Sequence, residues 1–331
     1  MAGDSSKQQV KRLKSVEYGK YGYLFIAPFF IVYLIFQFGP LLYTIWASFM
    51  EYYKKGLKEV GPTFIGLQNY VDVITDGDTF FQTYTFRTLG NTMYMWLLNF
   101  IPQILLSLLL ASWFTDVKVR VKGQGGFKII MFMPNIITAA SISVLFYSMF
   151  SSAGPITAML RNADIIAKNF DFMTNKTATR CIIAFIQFWM WYGNTMIVLI
   201  AGILGINPSL FEAAMVDGAT SGQIFRRITL PLLKPIVLFT LVTSAIGGLQ
   251  MYDIPALFNI NQGGDGLPDF ASTTITMYIR KLTLTSSDYG KAATASMMLF
   301  FVTLIISLFF FYFLGDKEPH YKANKKKGGI K

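Results

Sequence analysis

Six stretches of this chain are so long and so uniformly apolar that they leave few ways for it to fold in water. They run approximately Tyr23–Phe49, Thr88–Phe114, Phe127–Ser151, Arg180–Leu204, Leu233–Ala256 and Ala292–Leu314, and their only charged residues are Lys128, Arg180, Lys234 and Asp253, all at or near an end. A helix needs about 20 apolar residues to cross a bilayer. Lipid offers the backbone no hydrogen-bond partner, so only helices or closed barrels span it. Barrel strands alternate apolar and polar residues over roughly ten positions, a pattern missing from these runs. The expected fold is therefore an all-α membrane protein with six transmembrane helices.

Composition agrees. Of 331 residues, 53% are hydrophobic and 14% charged, where a soluble domain keeps about 25% charged. The net charge of +11 raises nucleic acid as a partner, but its excess sits at the ends of apolar runs and in the tails, which is the pattern of cytoplasmic membrane flanks. A basic segment (Lys7, Lys11, Arg12, Lys14, Lys20) precedes the first run, whose apolar stretch is too long for a signal peptide and ends without a small-x-small cleavage site. It reads as a retained helix.

The loops orient the spans. Glu51–Phe86 holds three basic and five acidic residues, which suits the outside, whereas short Asp116–Gly126 carries Lys118, Arg120 and Lys122, which suits the inside. Arg226 and Arg227 place the loop before the fifth run inside, and the lysine-rich tail falls inside as well. This divides the chain into a cytoplasmic tail at 1–22, a six-helix domain at 23–315 with a cytoplasmic loop at about 205–232, and a basic cytoplasmic tail at 316–331.

That cytoplasmic loop has its own grammar. Asn207-Pro208 supplies an N-cap and a first-turn proline, so a short helix is expected from Ser209 to about Asp217. Gly218 suits a left-handed helix exit. Thr220 and Gln223 form a T-x-x-Q capping box that opens a second helix, which Leu230-Pro231 is expected to end before the fifth span. Two short helices would then meet at a glycine bend.

Glu212, Ala213, Ala214, Gly218, Ile228, Leu230 and Pro231 reproduce, without insertion or gap, the pattern EAA, three residues, G, nine residues, I, one residue, LP. This segment resembles the EAA loop of bacterial ABC importer permeases, and Asp217, Ala219, Phe225 and Pro235 narrow the resemblance to the carbohydrate-uptake branch, near its maltose-type first permease. Phe64–Val71 (FIGLQNYV) is similar to the FxGLxNY segment of that branch, Gly90-Asn91-Thr92 to the NT at the start of the second helix, and Met133-Pro134 to the proline near the start of the third. Tyr289-Gly290-Lys291-Ala292-Ala293 resembles YGYASA with Lys for Tyr. Gly154-Pro155-Ile156-Thr157 departs from GxxN, and Gln262-Gly263-Gly264 departs from TxGGP.

The resemblance implies the architecture of a type I ABC importer. It implies a second permease subunit, two ATPase subunits that bind ATP and Mg, and an external solute-binding protein. It assigns contact with the ATPase to Glu212, Ala213, Ala214, Asp217 and Gly218, in a bacterial cell membrane with both termini cytoplasmic. The substrate it implies is a sugar, expected as an oligosaccharide, with a glycerol phosphate ester as the alternative.

No G-x-x-x-x-G-K-[ST], HExxH, GxSxG or CxxC pattern occurs, and the single Cys181 and His320 leave no thiolate or histidine cluster. The chain itself is thus expected to bind no metal or cofactor and to catalyse nothing. An ion-coupled carrier usually holds acid–base groups inside the membrane. Here Asp253 alone comes near, at the outer end of its run. A sugar site needs hydrogen-bonding groups beside aromatic rings. Two clusters offer both: Gln187, Trp189, Trp191, Tyr192 and Asn194 in the fourth run, and Gln250, Tyr252 and Asp253 in the fifth. Asn91, Asn99, Gln103, Asn135 and Tyr147 are further polar positions. Aromatics near span ends also form interfacial belts, and amides also link helices, so both roles stay open.

Overall fold

The computed structural model describes residues 19–75, 83–116, 118, 122–258 and 266–315. The basic tails, Arg120 and Gln262-Gly263-Gly264 lie outside them. Among the described residues, six helical segments are long and apolar enough to cross a membrane: Tyr21–Ala47, Tyr84–Phe114, Ala139–Asn162, Lys176–Leu204, Ser221–Phe258 and Tyr289–Leu314. Several begin a turn earlier than the apolar runs because a polar residue caps them. Asn175 accepts from the amide of Ala178, and Asp288 accepts from that of Lys291. Each cap satisfies an end amide that the helix cannot.

The first span forms a unit by itself, up to Trp46. Its helix Gly19–Tyr33 passes through a π turn, Leu34–Phe38, into Gly39–Ser48. The turn precedes Pro40, and the Gly39 amide reaches back five residues to Leu34. A proline ring clashes with the carbonyl four residues before it and has no N–H to give. One widened turn removes the clash without ending the helix.

The rest forms the second unit, Ala47–Lys331. Its centre is the packing of the second, fourth, fifth and sixth spans. One apolar cluster includes Met95, Trp96, Ile183, Ile186, Met190, Leu249 and Leu299; another includes Leu110, Phe114, Met196, Leu199, Ile203 and Leu233. Along the second and fourth spans most of the first cluster precedes Asn99–Gln103 and Gln187–Asn194, with Phe100 and Met190 packed among those polar residues, and the second cluster follows them. A polar belt therefore separates two apolar layers.

One expectation fails here, and one run is divided at its proline, as a proline inside a helix leads one to expect. The third run is not one helix. Gln124–Phe132 gives way to a 3-10 turn, Met133–Ile136, and a new helix covers Ala139–Phe150. Pro134 cannot donate to the ladder, and Thr138 restarts it by accepting from the Ser141 amide. Nor does Leu230-Pro231 end the elbow's second helix. A π turn at Phe225–Thr229 carries that helix directly into Leu230–Leu249, by the same widening that precedes Pro40. The fifth run instead breaks after Leu249 and resumes as Asp253–Phe258.

Between the first two spans the chain adds an antiparallel hairpin, β1 (Met50–Lys55) and β2 (Lys58–Phe64), followed by a helix at Gln68–Thr75. Buried Asn69 holds it in place by donating to the carbonyls of Ser48 (3.1 Å) and Met50 (2.8 Å). Gly290 packs on the same spot: a Cβ there would lie 2.4 Å from the Met50 oxygen and 2.9 Å from Asn69 Nδ2. The FIGLQNYV and YGKAA segments, distant in sequence, thus meet in one contact.

Candidate functional site

The elbow is built by local bonds. Asn207 Oδ1 accepts from the Ser209 amide (3.1 Å), and Pro208 opens the helix Pro208–Val216. At its end the Ala219 amide reaches the Ala214 carbonyl (2.9 Å) and the Gly218 amide reaches Met215 (3.1 Å). Gly218 stands at φ +76°. This is a Schellman exit, which requires a left-handed residue. The capping box then forms: Thr220 Oγ1 accepts from the Gln223 amide, and Gln223 Oε1 accepts from that of Thr220 at 2.8 Å. Lys118 donates to the Ala219 carbonyl (2.7 Å) and Ser221 to Asp116 (3.2 Å), pinning the elbow to the chain that leaves the second span.

Of the five elbow candidates, Glu212, Ala213, Asp217 and Gly218 are exposed. Ala214 is buried, 9% accessible, and borders a hollow of about 360 Å³ with Asp217, Gly218 and Arg227. Its small side chain serves the elbow's own packing. Val216, which the sequence reading passed over, is 88% exposed and gives the same surface an apolar point.

The polar belt opens into a cavity of about 180 Å³ lined by Asn99, Gln103, Gln187, Trp191, Asn194 and Ser244, among others. Gln103 donates to Thr195 Oγ1 (2.8 Å) and Ser244 Oγ (3.3 Å), tying three spans together. Asn99 donates back to the Met95 carbonyl. Trp191 presents an open ring, 43% accessible. Such a wall offers amides, hydroxyls and an aromatic face to a polyhydroxylated guest.

The other candidates are dispersed. Trp189 packs against Phe146, and Tyr192 against Phe188; neither borders the cavity. Gln250 and Asp253 are exposed at the break in the fifth span and border neither this cavity nor the pocket beside Tyr252. Tyr252 lines a separate pocket at the end of the bundle away from the elbow. Of the further polar positions, Asn135 donates to the Met190 carbonyl (3.3 Å) and Tyr147 meets Phe258 edge-on, so both act between helices.

A clasp at that same end escaped the sequence reading. Asp269 takes an ion pair from Lys176 (2.5 Å) and one from Arg87 (3.4 Å). Arg180 donates to the Ala271 carbonyl and to Asn91 Oδ1, while Asn91 donates to the carbonyls of Phe270 and Thr273. The loop before the sixth span is thereby tied to the second and fourth. The Lys176 hydrogen bond, then its charge, then Arg87 hold the Asp269 carboxyl below the ordinary carboxylate range. The available signal was spacing: Arg87 with Asn91, and Lys176 with Arg180, each stand four apart and share a helix face.

Six membrane-length helices, a capped elbow and a polar belt among the described residues are the parts expected of a membrane translocation subunit. The chain belongs to the family of binding-protein-dependent transport system inner membrane components, which it matches over residues 83–318. It is 31% identical over 293 residues to the lactose transport system permease protein LacF of Rhizobium radiobacter, covering 88% of this chain and 92% of that one. The arabinooligosaccharides transport system permease protein AraP of Bacillus subtilis is 30% identical across 70% of this chain and 69% of its own. Among solved structures, a bacterial ABC transporter that imports the acidic polysaccharide alginate matches with a TM-score of 0.64 and 26% identity, over 89% of this chain and 94% of that chain. The same transporter was also solved with an alginate pentasaccharide-bound periplasmic protein, where 88% of this chain matches. Fold and family together make this a multi-pass membrane protein and an ABC transport permease.

Proposed function

We propose that the chain is one permease subunit of an ATP-driven importer that takes up an oligosaccharide delivered by an external solute-binding protein. The elbow is the observation that carries this reading. A rigid, doubly capped bend with exposed Glu212, Ala213, Val216 and Asp217 is of little use as a mere connector, and it suits docking into a partner. That partner is an ATPase subunit, present in two copies, which binds ATP and Mg. A second permease completes the membrane part, and both termini lie in the cytoplasm.

In this reading the belt cavity holds the sugar. Among the described residues, the side chains of Gln187 and Asn194 hydrogen-bond to no protein group, although both line the cavity. Sugar hydroxyls would satisfy them while Trp191 stacks on a C–H face. Closure of the ATPases would move the elbows and shift the bundle between two packed states, exposing the cavity first to one side and then to the other.

Purification of the tagged chain in mild detergent, with mass spectrometry of what accompanies it, tests the assembly. The expected companions are a second six-span permease and a P-loop ATPase. A chain that purifies alone, intact and monodisperse, would count against the importer.

A further inference from the structure

A buried donor beside the belt cavity has no acceptor. Trp96, in the second span, is 4% accessible, yet its indole Nε1–H bonds to no group among the described residues. An unpaired buried donor costs free energy that a purely apolar ring would not, so packing alone gives the nitrogen no use. Its neighbours fix where it sits. Phe100 packs on the ring with centroids 4.9 Å apart. The pyrrole edge lies against Gly248 of the fifth span: a Cβ built there would stand 2.5 Å from Trp96 Cδ1 and 3.1 Å from Nε1.

Gly248 lines the belt cavity, as do Asn99 and Gln103. Trp96, Asn99 and Gln103 are spaced by three and four residues, so they share one face of the second span, with Trp96 a turn farther from the elbow. The cavity holds about 180 Å³, less than the roughly 300–1,000 Å³ that drug-sized ligands fill. That is room for one sugar unit, and a second unit has to extend beyond it. Gly247 and Gly248 give the cavity a wall without side chains, and a Cβ added at Gly247 would meet nothing within 4 Å. The unused donor lies directly behind this bare wall.

We propose that Trp96 Nε1–H is a sugar-binding donor of the belt site, covered by Gly248 in the arrangement described here and offered to the second unit of an oligosaccharide when the fifth span slides on the second. The inference rests on the transport reading above. A sugar hydroxyl oxygen accepts the bond. Because the bond forms only in the state that uncovers the donor, a bound oligosaccharide draws the bundle towards that state. Glycine at 248 then serves twice, seating the indole edge and keeping the way to it free of a side chain.

The test begins with uptake. The unmodified assembly, reconstituted with its partners and ATP, is offered maltotriose, cellotriose, arabinotriose and raffinose, and the trisaccharide taken up is carried forward with its constituent monosaccharides. Calorimetric binding to the purified assembly, with and without a non-hydrolysable ATP analogue, then compares variants. Trp96→Phe keeps an aromatic ring and removes the donor. In one of the two states it should bind the trisaccharide about two- to tenfold more weakly, the scale of one hydrogen bond, and it should bind the monosaccharides unchanged. Gly248→Ala, which displaces the indole edge, should lose at least as much for the trisaccharide, and it decides the matter should Trp96→Phe fail to assemble. In the unmodified assembly with isotope-labelled tryptophans, the indole N–H resonance that Trp96→Phe lacks should move downfield when the trisaccharide is added, which a packing role would not produce. Full trisaccharide affinity in either variant in both states would overturn the proposal, as would a loss in Trp96→Phe shared equally by the monosaccharides. Uptake of none of the trisaccharides by the unmodified assembly counts against the transport reading instead.

Discussion

Gly218 offers the sharpest test of the elbow, because the cost of changing it separates into parts. A Cβ added there meets nothing within 4 Å, so alanine brings no steric conflict. What remains is the backbone conformation, φ +76°, which costs an L-residue roughly 1–2 kcal/mol. Proline is different in kind. Its ring fixes φ near −65°, so the left-handed exit is lost, together with the bonds from Gly218 to Met215 and from Ala219 to Ala214. Two backbone bonds at about 0.5–1.5 kcal/mol each add to the change of path. A helix of nine residues has little stability of its own, so losses of this size redirect the elbow and leave the spans intact. Reconstituted with its partners, Gly218→Ala should keep measurable uptake, reduced by no more than about thirtyfold, the equivalent of about 2 kcal/mol. Gly218→Pro should insert normally, abolish uptake and leave ATP hydrolysis unresponsive to substrate. Uptake at the unmodified rate by Gly218→Pro would refute the reasoning.

Other outcomes follow from the same geometry. Gly290→Ala should destabilise the assembly by about 1–3 kcal/mol through overpacking against Met50 and Asn69; an unchanged melting temperature would mean that the hairpin does not seat there. The lowered pKa of Asp269 makes its contribution to stability complete above the unfolded carboxylate value of about 3.9 and lost as pH falls through the lower folded value. Melting temperature should thus drop more steeply between pH 5 and pH 2 in the unmodified protein than in Asp269→Asn, and parallel curves would remove the clasp from the account. Trp191→Ala should raise the KM for uptake by up to about tenfold, the scale of one lost aromatic contact, with assembly preserved. Asp253→Ala, whose side chain borders neither cavity, should do less, and a larger effect there would relocate the site.

What could be read from the sequence was what local chemistry dictates. Asn207, Pro208, Gly218, Thr220 and Gln223 each do in the structure what their types dictate, because a cap or a left-handed turn is settled within four or five residues. The six spans were legible for the same reason, since lipid constrains every residue of a run at once. The π turns were not, because a ladder widened by one residue leaves the apolar pattern unchanged, and so Leu230-Pro231 was expected to stop a helix that continues. Pro134 was legible, since a ring without an N–H breaks a helix even inside a run whose apolar character never falters. The candidate sugar residues divided because periodicity ranks residue types and does not aim them: Trp189 and Tyr192 flank Trp191 in sequence but turn to other neighbours. The clasp joins residues nearly two hundred positions apart, and only tertiary packing brings Asn91 to Phe270.

The central claim is that transport through this chain is driven by ATP through the elbow. The most direct measurement is sugar uptake into proteoliposomes that hold the complete assembly, with the binding protein added outside and ATP sealed within. The account predicts uptake that requires the enclosed ATP and is indifferent to a protonophore. Uptake that proceeds without ATP and collapses when the proton gradient is dissipated would contradict it and establish an ion-coupled carrier.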